Sequence, residues 1–100
     1  MTKNMLQKKI EGYHKGNGID EVFFDSKYPN IKIEFEYEIY DDFGKYIPPK
    51  DQVLHSILIE FIDTGAISQV RPKDYETFDK FLEKVARTYN KFSKLYGNKQ

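Results

Sequence analysis

The chain has 100 residues, of which 39% are hydrophobic and 16% aromatic, with eight Tyr, eight Phe and no Trp. That length predicts one domain spanning residues 1–100, and that composition is too apolar for a disordered chain. The absence of cysteine excludes disulfides, thiolate metal sites and cysteine nucleophiles, and a formal net charge of zero conceals a sorted distribution: +3 over residues 1–18, −7 over 19–63 and +4 over 64–100.

The amino terminus, "MTKNMLQKKIEGYHK", has lysines with no apolar run after them, so it does not read as a leader, and "ILIEFI" is the nearest thing to an apolar run anywhere. The expectation is a soluble, cytoplasmic protein with no membrane partner. Leu6, Ile10 and Tyr13 are at helical spacing, which predicts a short helix over Thr2–Lys15 with Thr2 as N-cap and Gly16 as its stop. "GNG" at 16–18 then breaks the chain, "IDEVFF" at 19–24 predicts a strand, and "DSKYPN" predicts a turn.

Residues 31–42, "IKIEFEYEIYDD", carry the clearest pattern. Ile31, Ile33, Phe35, Tyr37 and Ile39 share one face of a strand, and Lys32, Glu34, Glu36, Glu38 and Tyr40 share the other. A half-buried antiparallel strand follows from that alternation. The loop "DDFGKYIPPK" comes next, marked by a glycine and two prolines.

"DQVLHSILIEFID" fits two periods. As a helix, Leu54, Ile57, Leu58 and Phe61 form one stripe edged by Val53 and Ile62, with Pro49 or Asp51 at its start and Gly65 at its end. As a strand, Ile57, Ile59 and Phe61 point inward while Leu58 and Ile62 fall on the polar side. The helix leaves only Ile59 misplaced and is the preferred expectation; "AISQV" at 66–70 then adds an edge strand. From Asp74 to Tyr96 the apolar positions Tyr75, Phe78, Leu82, Val85, Tyr89, Phe92 and Tyr96 predict a long amphipathic helix stopped by Gly97. At 1.5 Å per residue it would span about 35 Å, enough for its far end to extend past the core or to pack on a second copy in a homodimer.

The predicted fold is therefore α+β: an N-terminal helix, a small antiparallel hairpin or meander, and a long C-terminal helix on the sheet's apolar face. Catalytic constellations are not assembled by these residue types. His14 and His55 have no partner at metal-ligand spacing, and Asp41 and Asp42 with Glu38 or Asp51 lack calcium-loop spacing, so no catalytic residue, metal or cofactor is expected. "DDFG" stands without the other parts of a kinase, and "GNG" without those of a phosphate loop.

Two charged surfaces remain. The row Glu34, Glu36 and Glu38, extended by Asp41 and Asp42 and edged by Tyr40, suits a basic protein surface, including that of a nucleic-acid-binding protein. Arg87, Lys91 and Lys94, with Lys8 and Lys9, form the alternative, a DNA contact made by a dimeric accessory protein. The leading expectation is a small non-enzymatic binding or regulatory protein of inhibitor or adaptor type. Its Lys, Ile, Asn, Tyr and Phe content suits an AT-rich genome, and its size suits a phage or plasmid setting.

Overall fold

A computed structural model describes residues 1–16 and 22–97. It has the predicted α+β architecture, in the order α1 (Lys3–His14), β1 (Val22–Phe24), β2 (Ile31–Glu38), β3 (Val53–Phe61), β4 (Ala66–Val70) and α2 (Phe78–Tyr96). The four strands form an antiparallel meander in the order β1-β2-β3-β4, and both helices lie on one face of it.

Helix α1 begins where the sequence predicts: the Thr2 side chain accepts the Met5 N–H, and Gly16 follows the helix with φ +69°. Its buried Leu6 and Ile10 pack toward the sheet, and Tyr13 stacks on Tyr37 of β2 with ring centroids 4.1 Å apart. Of the predicted first strand, Val22–Phe24 form β1, and residues 19–21 lie outside the described residues, as do 17 and 18 of "GNG".

In β2 the alternation is realised: Ile31, Ile33, Phe35 and Tyr37 are buried, and the residues between them face away from the helices. The strand ends at Glu38, short of the predicted limit, and Ile39 is 37% exposed.

Residues 53–62 are a correction. Val53–Phe61 form β3, not a helix, Ile62 lies in the turn that follows, and β3 is the central partner of both β2 and β4. A helix here would leave β2 unpaired along one side, and β-branched Ile57 and Ile59 suit the pleated surface. Ser56, Ile57, Ile59 and Phe61 are buried, while Leu58 is half-buried on the opposite face between Glu34 and Gln69. His55 is the extra residue of a bulge, because Glu36 pairs with Ser56 and Tyr37 with Leu54. The expected helix start is a single 3-10 turn at Pro49–Asp51, and the expected stop, Gly65, is the φ +75° residue of the turn into β4. The predicted edge strand at 66–70 is β4.

Helix α2 starts later than predicted, at Phe78, because Thr77 caps it by accepting the Lys80 N–H. Tyr75, which has the helical spacing, sits in a turn with φ +66° and a fully exposed ring. Phe81, Leu82, Val85, Tyr89 and Phe92 are buried, and each such side chain contributes about 1.5–3 kcal/mol. The far end does not extend past the core. Tyr96 stacks on Phe61 at 5.2 Å, and a Cβ added to buried Gly97 would come within 2.5 Å of the Tyr28 ring.

Candidate binding surface

The helices cover one face of the sheet and leave the other without a covering element among the described residues. Strand register assembles that open face: Glu34 stands opposite Val22 and Leu58, Lys32 opposite Phe24 and Glu60, and Glu36 opposite Ser56. Ile67 and Gln69 of β4 complete it. The result is a charged surface with apolar islands: Phe24, Val53 and Ile67 are 47%, 63% and 56% exposed.

The acids on this face differ in what holds them. Glu60 is paired with Lys32 at 2.9 Å, and that bond raises the lysine above its ordinary value. Glu36 accepts the buried Ser56 hydroxyl and the Gln69 side-chain amide, the latter at 3.1 Å. The Ser56 hydrogen bond is the main reason its carboxyl is held below the usual glutamate range; the Gln69 amide and the charges of His55 and Arg71 act in the same direction. Glu34 and Glu38 make no hydrogen bond or ion pair among the described residues. Of the predicted row, then, Glu34 and Glu38 present uncommitted charge and Glu36 is built into the sheet.

Beyond Glu38 the chain leaves the sheet as a narrow hairpin over residues 39–47. Ile47 N–H donates to the Ile39 carbonyl at 2.8 Å, and Tyr40 and Tyr46 are bridged, their rings edge to face at 6.4 Å. Asp41 closes the tip: its carboxylate accepts the N–H groups of Phe43 and Lys45, both at 2.9 Å, and Gly44 takes φ +76°. Asp41 is thus a turn residue, while Asp42, Tyr40 and Phe43 are exposed. Phe43 is absent from the sequence-predicted surface. Its signal was the pair of tyrosines flanking an Asp-x-x-Gly turn.

The basic alternative is divided. Arg87, Lys91 and Lys94 are exposed on α2, with Lys91 beside β4, whereas Lys9 lies over the Phe23 ring of β1, 5.1 Å from its centroid. Those strands are opposite edges of the sheet, so Lys8 and Lys9 do not join the α2 group. Tyr89 and Phe92 are buried in the chain's own core and offer no ring for base stacking.

Both histidines have local roles. His14 Nε2 lies 3.0 Å from the Gln52 carbonyl, which can only accept, so that nitrogen carries the proton; Tyr13 donates to the same residue's side chain. His55 Nδ1 lies 3.2 Å from Ser56 Oγ. Glu36, Ser56 and His55 are the residue types of a hydrolytic centre, but Ser56 is 0% exposed and its hydroxyl is spent on Glu36. Among the described residues no three His, Asp or Glu side chains gather as metal ligands, and no helix is long and apolar enough to cross a membrane.

No protein-family model, characterised protein or solved structure matches the chain.

Proposed function

We propose that this chain is a non-enzymatic cytoplasmic binding protein, of regulator, inhibitor or adaptor type, that docks a basic protein surface on the open face of its sheet. The observation that carries the reading is the uncovered face itself, where Glu34 and Glu38 are uncommitted among apolar side chains left partly in solvent. Mixed apolar and acidic surface of this kind supplies contact area together with electrostatic steering. The partner it fits carries Lys or Arg around a modest apolar patch, as nucleic-acid-binding proteins do.

A titration of ¹⁵N-labelled protein with an oligolysine peptide tests the charge half of this reading. Amide shifts should concentrate on residues 32–38 and 56–60, weaken with salt, and disappear in the Glu34→Lys/Glu38→Lys variant. Shifts spread evenly over all acidic positions, or unaffected by that variant, would sink the proposal.

One observation favours a second reading, DNA binding by α2: Arg87, Lys91 and Lys94 are exposed and form no ion pair among the described residues. Three phosphate contacts would give a log–log salt slope of about −3 for duplex DNA. A slope near zero, or no binding at low salt, removes it.

A further inference from the structure

The hairpin tip presents an exposed aromatic ring beside an acid, and a groove at the opposite end of the sheet presents apolar side chains beside a base. Phe43 is 95% exposed, yet the turn beneath it is held by the Asp41 hydrogen bonds and the Tyr40–Tyr46 bridge. An aromatic ring left in water contributes nothing to this fold, and the backbone that carries it is already fixed by the turn, so binding need not order that segment. A groove of about 330 Å³ runs between β4 and the last turns of α2. Phe92 and Tyr96 line it, Ile67 and Leu95 stand open to solvent at 56% and 62%, and Lys91 is its charged residue. The knob has the opposite sign beside its ring, in exposed Asp42.

One molecule cannot satisfy itself. The hairpin springs from the end of β2 that pairs with Val53, and the groove lies where Phe61 pairs with Ala66. The nine residues of β3 separate the two places by roughly 26 Å at about 3.3 Å per residue. We propose that Phe43 of one copy seats in the groove of a second copy, with Asp42 facing Lys91. This contact shares only Ile67 with the sheet face assigned to a basic partner, and it does not depend on that assignment. Because knob and groove are different surfaces, each copy carries one of each, and association is heterologous or, for two antiparallel copies, reciprocal.

Sedimentation equilibrium of the full chain from micromolar to millimolar concentration tests this. The mass should rise above 11.9 kDa with concentration. Phe43→Ala and Leu95→Glu should each weaken association about tenfold or more, as loss of an aromatic anchor or its pocket does. Neither residue is buried, so far-UV circular dichroism should show both variants folded. An equimolar mixture of the two should regain association, since each keeps the surface the other lacks. Asp42→Lys should weaken assembly, and adding Lys91→Glu on the same chain should restore it. A wild-type mass fixed at 11.9 kDa over the whole range, association that survives both single variants, or a mixture no better than its components would each overturn the proposal.

Discussion

The two faces of this sheet are built from the same strands, one residue out of step, and they treat polarity in opposite ways. On the covered face Ile31, Ile33, Phe35, Ile57 and Ile59 are all at or below 2% exposure, and the helices seal them. On the open face charged and apolar residues are mixed, and half of the acids are committed to neighbouring strands while the others are not. The covered face is thus governed mainly by exclusion of water and the open face by local bonding. A glutamate on that face can be structural or available, and strand alternation alone does not separate the two.

The largest test of the contrast is a truncation on the covered side. Phe35 is 2% exposed and stacks on Phe23 at 5.6 Å. Phe35→Ala should cost about 3–5 kcal/mol through lost burial and the cavity left behind. Urea denaturation measures it, and for a domain whose total stability is of the order of 5–15 kcal/mol the variant should be only marginally folded. A cost below about 1 kcal/mol would mean that the helices do not seal this face as described.

A smaller effect distinguishes the committed acid from its neighbours. Glu36→Gln removes a charged acceptor from the buried Ser56 hydroxyl and should cost about 1 kcal/mol at neutral pH. The sign with pH follows from the direction of the shift. The folded-state carboxyl is held below its ordinary value of 4.5, so its stabilisation is fully present above that value and disappears as pH falls through the depressed one. Wild type and variant should therefore converge in stability as the solution is acidified below 4.5. A difference that is constant with pH would show that the Ser56–Glu36 bond does not depend on the charge.

Much of this was legible in the chain and some was not, for reasons that attach to particular residues. Ile31 to Tyr37 showed themselves because one face meets water and the other does not, so the period of two is written twice, once in apolar residues and once in charges. β3 concealed itself because Leu58 is apolar on the open face and the His55 bulge shifts the phase, leaving spacings that also satisfy a helix. The start of α2 was obscured by Tyr75, which repeats the helical interval while sitting in a left-handed turn. Of the candidate contact residues, the open-face position of Glu34 and Glu38 could be read from the alternation. That Glu36 is spent could not be seen, because Ser56 and Gln69 meet it only through pairing across three strands. Phe43 was missed because an aromatic residue in a loop gives no periodic signal.

The smallest expected effect bears most directly on the proposed function. In Glu34→Lys/Glu38→Lys two uncommitted acids are reversed, and the change in stability should stay within about 0.5 kcal/mol per site, the usual range for surface substitutions away from structural bonds. Lys32 feels the Glu34 charge, so any destabilisation should come mainly from that side and should shrink as salt is added. Thermal or urea unfolding of this variant beside Glu36→Gln makes the comparison. Equal losses would mean that all three glutamates are structural and that the open face has no charge to spare for a partner; a loss confined to Glu36 leaves Glu34 and Glu38 as charges the fold does not use, available to steer a basic surface onto the sheet.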